Sequence, residues 1–128
     1  MFAFSEIQAF KTSFLKFWHP ENERCGIVTV AGKIVKKVNR ADDPTDNFEF
    51  RYEDLKSAVA TWHTHPNKSI NLSIADYWFF MQWPKMLHFV VSQDNASCYV
   101  VVDGTVRVID EEEDCPPRIL EEALCRAD

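Results

Sequence analysis

Between residues 2 and 18 the apolar side chains Phe4, Ile7, Phe10, Phe14, Leu15 and Trp18 recur at nearly helical spacing, and His19-Pro20 ends the series. The pattern predicts an amphipathic helix. A β-branched run at 25–30, the turn Ala31-Gly32-Lys33 and a second run at 34–38 predict a hairpin. The polar stretch 39–47, with Pro44, reads as a loop before Phe48-Glu49-Phe50 and a short helical segment at 52–58. Residues 59–65 alternate as a strand does and stop at Pro66; after a polar loop, Ser73 opens an aromatic-rich helix over 74–83, closed by Pro84. Three more strands are expected at 87–92, 97–102 and 105–109, the last two joined by an Asp103-Gly104 turn. A last short helix is expected at 118–126. The order helix, strands, helix, strands points to one α+β domain with a central, mostly antiparallel sheet flanked by helices. Tyr77, Trp78, Phe79, Phe80 and Trp83 crowd several faces of one helix, and burial against the sheet is the expectation, with a partner surface as the alternative.

The chain has 128 residues, 46% of them hydrophobic and 13% aromatic, which suffices for a core without staples. Its three glycines, Gly26, Gly32 and Gly104, are too scattered for a dinucleotide-binding turn or a phosphate loop. The net charge of −6 is concentrated in the run Asp110 to Asp114; without those five acids, 14 basic residues face 15 acidic ones. The run is expected to be a solvated linker, dividing a domain at 1–109 from an acidic linker and short C-terminal helix at 110–128. Cys25, Cys98, Cys115 and Cys125 lack paired Cys-x-x-Cys spacing and read as free thiols in a reducing cytoplasm. No secretion signal, membrane anchor or membrane span is expected, and neither a nucleic acid nor a membrane is an expected partner.

The chemistry lies in His63-Thr64-His65-Pro66, followed after six residues by Ser73-Ile74-Ala75-Asp76. Histidines at i and i+2 of a strand point to one face and can meet one ion. A helix that starts at Ser73 can then bring Asp76 as a third ligand in its first turn. Two imidazoles and a carboxylate suit a catalytic zinc ion that keeps a fourth position for water and lowers its pKa to near neutrality. A further carboxylate is then needed to carry protons. Taken alone, Ser73-x-x-Asp76 is also an ordinary capping pattern. His19 and His88 have no partner at ligand spacing and are read as structural.

The joint spacing resembles the signature of the JAB/MPN (JAMM) zinc metallopeptidases. That family's upstream Glu, set before the glycine of the first strand, matches Glu23-Arg24-Cys25-Gly26, and the resemblance covers about residues 21–104. It implies zinc on His63, His65 and Asp76, Glu23 as general acid/base, Ser73 as a donor to the oxyanion, and hydrolysis of a peptide or isopeptide bond. The compact spacing, without insertions after Asp76, looks most like the JAB domain of the phage tail-assembly protein K. The chain stops after that domain, so direct peptidoglycan cleavage is not expected.

Two functions stay open. One is an active zinc peptidase in a phage tail tip or acting during its assembly, with a protein or peptide substrate and other tail-tip proteins as partners, placed in the virion tail tip or the host bacterial cytoplasm. The other is a structural tail or interaction module with a retained JAB fold. A bacterial deubiquitinase-like isopeptidase is a variant of the first.

Overall fold

In a computed structural model, which describes residues 3–41, 48–66 and 71–115, the first apolar series forms α1 (Phe4–Phe14) and runs on into a 3₁₀ turn, Leu15–Phe17. Ile7 and Phe14 are fully buried on its inner face. The hairpin follows as β1 (Cys25–Thr29) and β2 (Ile34–Lys37), with Gly32 at φ 85° in its turn, a left-handed conformation that glycine adopts without steric cost. The helical segment expected at 52–58 is one turn only, α2 (Tyr52–Leu55), and Ala58 already belongs to β3 (Ala58–Thr64). Ala58 pairs with Thr29 across a register shift in β1, so the sheet ladder overrides local helical preference there. The aromatic helix is α3 (Ile74–Gln82), followed by β4 (Leu87–Val91), β5 (Ala96–Val102) and β6 (Thr105–Val108), with a 3₁₀ turn at Glu112–Asp114. Asp103 and Gly104 both have positive φ, as a two-residue hairpin turn requires. The expected helix at 118–126, Cys125 and the Pro44 loop lie outside the described residues.

The sheet order is β2-β1-β3-β4-β5-β6, antiparallel throughout except for β3 and β4, which are parallel and joined through α3. The expected α+β class with a mostly antiparallel sheet is therefore the observed one. On one face α1 covers the main core of Val28, Ala60, Trp62, Phe89, Val91, Cys98, Val100 and Ile109. On the other, α2 and α3 cover smaller clusters around Ile27, Leu55 and Met86 and around Phe80, Val90 and Val101. Cys115 packs into the main core behind the acidic run, whose five acids are exposed. Cys25, Cys98 and Cys115 are free thiols. Among the described residues no helix is long and apolar enough to cross a membrane.

The expectation that α3 is a buried core helix holds for one side of it. Phe80 is fully buried and Phe79 packs beside it, but Ile74 is 78% and Trp78 67% exposed, and Tyr77 and Met81 are exposed with them. Positions 74, 77, 78 and 81 form one stripe of a helix that touches the sheet with its opposite side only.

Two side chains lock the layers that carry the site. Trp62 lies across β1 opposite Gly26, where an added Cβ would overlap the Val35 carbonyl oxygen and come within 2.5 Å of the indole. His88 is buried between sheet and helix: its Nε2 donates to the Trp83 carbonyl oxygen at 2.9 Å, which leaves Nδ1 to accept from the Thr61 hydroxyl at 2.7 Å. Its ring stacks on Phe80 at 4.5 Å. Burial lowers its pKa from 6.5 to about 3, against the partial opposition of the Trp83 carbonyl.

Gly26→Ala is expected to cost about 3 kcal/mol, because neither a backbone carbonyl nor a core indole can step aside. Gly104→Ala, strained only by its φ of 76°, costs about 1 kcal/mol. Urea midpoints check both, and a Gly26→Ala protein of wild-type stability would contradict the close approach of Trp62. For His88 the folded pKa lies below the unfolded one, so the unfolded chain binds the proton first as pH falls. Its contribution is fully present above about pH 6.5 and is lost as pH drops towards 3, on the order of 4 kcal/mol across that window. In urea titrations between pH 7 and 4.5, His88→Gln should show a shallower decline than the wild type.

Candidate metal centre

Strand alternation places His63 and His65 on the same side of β3, the side covered by α3. His65 itself lies one residue past the strand, ahead of Pro66, and is held by main-chain bonds. Its N–H donates to the Val91 carbonyl oxygen at 2.8 Å, and its own carbonyl oxygen accepts the Trp18 indole N–H at 2.8 Å. Asp76 arrives from the first turn of α3. Ser73 Oγ accepts the Asp76 N–H at 3.1 Å, while the Ser73 N–H donates to Asp76 Oδ2 at 3.0 Å. This reciprocal cap aims the carboxylate, and the helix N-terminus favours its negative charge.

The three groups meet in a tight triangle. His63 Nε2 is 3.1 Å from Asp76 Oδ1, His65 Nε2 is 3.2 Å from Asp76 Oδ2, and the two Nε2 atoms are 3.2 Å apart. Asp76 and both histidines are at most 9% exposed. Burial alone would raise the Asp76 pKa, yet hydrogen bonds from His63 and His65 and from the Ser73 N–H hold it well below the ordinary carboxylate range. Burial lowers the His63 pKa more than the Asp76 hydrogen bond and charge raise it. His63 is thus held neutral and Asp76 ionised, the states in which each can bind a metal ion.

Protons cannot satisfy this triangle. Each Nε2 carries at most one hydrogen, so the imidazoles can serve two of the three edges, and the ionised carboxylate can donate along none. A proton moved off His63 Nε2 goes to Nδ1, which is buried and has no hydrogen-bond partner among the described residues. One edge always sets like against like. A cation at the centre meets all three lone pairs at once. Donors about 2.1 Å from a tetrahedral metal stand about 3.4 Å from each other, close to the spacing here.

Glu23 joins the cluster from the neighbouring strand. Continuing the β1/β3 register, Cys25 opposite His63 and Gly26 opposite Trp62, sets Arg24 opposite Thr64 and Glu23 opposite His65. Two bonds fix that continuation: the Thr64 N–H donates to the Arg24 carbonyl oxygen, and the Arg24 N–H to Thr64 Oγ1, each at 2.8 Å. Asn39 Nδ2 donates to the Glu23 carbonyl oxygen at 2.8 Å. One carboxylate oxygen of Glu23 and one ring nitrogen of each histidine lie within 4.8 Å of one another, so these three can also hold a metal ion. Cys25 shares this face of the sheet, but burial, with Asp54 and Glu23 adding to it, pushes its thiol to about 12, so it stays protonated.

The structure therefore brings Glu23, His63, His65 and Asp76 together and sets Ser73 at the rim, its hydroxyl oxygen already engaged in the cap. His19 and His88 lie in other settings, as expected: His19 Nδ1 accepts the Glu21 and Asn22 N–H groups. Two residues of the site escape sequence reasoning. Trp18 ends the first apolar series and carries no mark of its bond to His65. Phe48 stacks on His63 at 4.1 Å and shields it from water, and its ring packs edge-on against Phe79 and Phe50. Only an apolar pair flanking Glu49 hinted at burial there.

No family model matches the chain, and no curated protein does. Among solved structures, the fold is similar to the solution structure of protein DSY2949 from Desulfitobacterium hafniense, with a TM-score of 0.58 and 15% identity over 84% of this chain and 87% of that one. At that identity the likeness concerns the fold, and it agrees with a single α+β domain.

A divalent transition metal at 100 times its dissociation constant should stabilise the protein by about 2.7 kcal/mol, which raises Tm by roughly 10 °C in a domain of this size. Differential scanning fluorimetry with and without a chelator reads the shift. It should vanish in His63→Ala and Asp76→Asn, and a wild-type Tm indifferent to both metal and chelator would refute the lone-pair argument.

Proposed function

We propose that the protein is a zinc-dependent peptidase or isopeptidase of the JAMM type with a JAB/MPN domain. The observation that carries this reading is the buried triangle of His63, His65 and Asp76, with Glu23 beside it at the opening. His63, His65 and Asp76 hold the ion; a nitrogen-rich, three-donor set with an open fourth side fits zinc best. When bound, zinc supplies Lewis acidity and lowers the pKa of a water ligand to near neutrality.

The chain's own residues account for the rest of the hydrolysis. Glu23 is buried with its carboxylate facing the cluster, and takes a proton from the attacking water. It returns that proton to the departing amine, so one carboxylate serves as base and then as acid. Ser73 Oγ accepts the Asp76 N–H, which leaves its own hydrogen free to donate to the oxyanion of the tetrahedral intermediate. Phe48 excludes water from the inner face of His63 and strengthens the electrostatics on the open face.

The spacing of the motif and the lack of insertions after Asp76 favour a phage tail-tip or tail-assembly setting, with other tail proteins as partners. A second reading, an interaction module, draws on the exposed stripe of Ile74, Tyr77, Trp78 and Met81. The two differ in what Glu23 does.

Glu23→Gln should retain one zinc per chain by equilibrium dialysis while losing at least 100-fold in cleavage of a quenched-fluorescent peptide pool and of a lysine-branched isopeptide. Ser73→Ala should lose about tenfold or more. Cleavage at the wild-type rate in Glu23→Gln would refute the assignment. Absence of zinc-dependent cleavage in the wild type, with metal bound, would favour the interaction module.

A further inference from the structure

β1 begins at Cys25 and β2 ends at Lys37, and these two residues pair. Carried two residues further, the same register sets Glu23 opposite Asn39, as the β3 register sets it opposite His65. The main-chain ladder has lapsed there, and a side chain takes its place: Asn39 Nδ2 donates to the Glu23 carbonyl oxygen at 2.8 Å. The other end of the same amide meets a different segment. Asn39 Oδ1 accepts the Ala41 N–H at 3.0 Å, a local turn of the kind asparagine favours, and the Glu49 N–H at 3.1 Å. A main-chain bond reinforces the link to Glu49, whose carbonyl oxygen accepts the Arg40 N–H at 3.1 Å. The amide can sit only this way round, because a flip would set its NH2 against two N–H groups and its oxygen against a carbonyl.

We propose that Asn39 is a positioning residue, whose one amide holds the proton carrier Glu23 and the aromatic cover Phe48 in fixed relation to His63 and His65. Glu49 stands between Phe48 and Phe50, and Phe48 stacks on His63 at 4.1 Å, so the bond to the Glu49 N–H fixes the segment that carries this ring. Glu23 lies beyond the last pair of β1 with β2, and the bonds between Arg24 and Thr64 tie its β3 flank; Asn39 ties the β2 flank. A carboxylate that must meet a water within hydrogen-bonding reach loses on the order of 10²-fold in rate when it is displaced by about 1 Å. The role in catalysis rests on the peptidase reading, whereas the tie between the two segments stands on the hydrogen bonds alone. Asp in place of Asn39 keeps the acceptor and loses the donor, and Ala keeps neither, so the two halves of the tie can be cut separately.

Amide exchange followed residue by residue by NMR separates the halves, the Arg24 N–H reporting on the Glu23 side and the Glu49 N–H on the Phe48 side. In Asn39→Ala both should exchange about tenfold or more faster than in the wild type; in Asn39→Asp only Arg24 should, and the amides of β4 should keep wild-type rates in both variants. Under the peptidase reading both variants should keep one zinc per chain and lose about 30-fold or more in kcat, with KM changed less than about twofold, because a displaced base weakens the transition state and not the bound substrate. Wild-type exchange at both reporters in Asn39→Ala overturns the inference. So does a uniform acceleration across the sheet, which would mark a merely structural role, and so does Glu49 exchange in Asn39→Asp as fast as in Asn39→Ala. Reporters that respond as stated in a protein that cleaves nothing would sink the peptidase reading and leave Asn39 as the residue that positions the metal centre. Cleavage at the wild-type rate by zinc-loaded Asn39→Ala would overturn the positioning role and leave the peptidase reading standing.

Discussion

Three polar groups, His63 Nε2, His65 Nε2 and the Asp76 carboxylate, stand 3.1–3.2 Å from one another, and hydrogen atoms cannot satisfy all three contacts at once. Buried polar groups ordinarily find partners, and one left unpaired costs on the order of 1–3 kcal/mol. This fold nevertheless spends several specific interactions to keep the conflict in place. The Ser73 cap aims the carboxylate, the Trp18 indole and the Val91 carbonyl pin the backbone of His65, and Phe48 closes one face of His63. Each of these would be free to relax if the triangle were merely a fault in packing. Their agreement is what makes the site able to hold a metal ion.

Two fully buried histidines on the α3 side of the sheet make the contrast sharp. His88 and His63 are both fully buried, and burial lowers the pKa of each. Every polar atom of the His88 ring has a partner, from Thr61 on one side and Trp83 on the other, which ties helix to sheet and needs nothing more. The His63 ring has an Nδ1 without a partner among the described residues and an Nε2 that faces another nitrogen and a carboxylate. Equal burial with unequal satisfaction separates a structural histidine from a candidate ligand. The same criterion sets Cys25 aside, since its raised pKa keeps it a thiol although it faces the site.

How much of this could be read from the sequence follows from the range of each contact. The His63-His65 pair, the halt at Pro66 and the Ser73-Asp76 cap are local, and strand and helix periods place them without knowledge of the fold. The link from Glu23 to His65 is longer-ranged, yet Gly26 betrays it, because only a residue without a side chain fits opposite Trp62. Strand ends moved by one residue at most, whereas the helical segment expected at 52–58 lost its last three positions, where a ladder partner of Ala58 in β1 outweighed local preference. Trp18, Phe48 and the exposed stripe of α3 were illegible for one shared reason. Each depends on which element lies beside which, and alternation of polar and apolar residues says that a side chain is buried or exposed without saying against what.

Topology explains why the site opens where it does. β3 and β4 are the one parallel pair in the sheet, and the crossover through α3 carries the chain from the end of β3 back to the start of β4. Parallel neighbours end on the same side, so the chain must leave β3 at His65 and enter α3 at the same rim, and ligands gather at such carboxyl ends. β1 runs antiparallel to β3, so its beginning, Glu23, falls at that rim too. β2 ends beside it with Lys36 and Lys37. The acids at 110–114 follow β6, at the far edge of the sheet, so the strand order itself sets the negative run three strands away from β3, and the net charge of the chain says little about the charge at His63, His65 and Asp76.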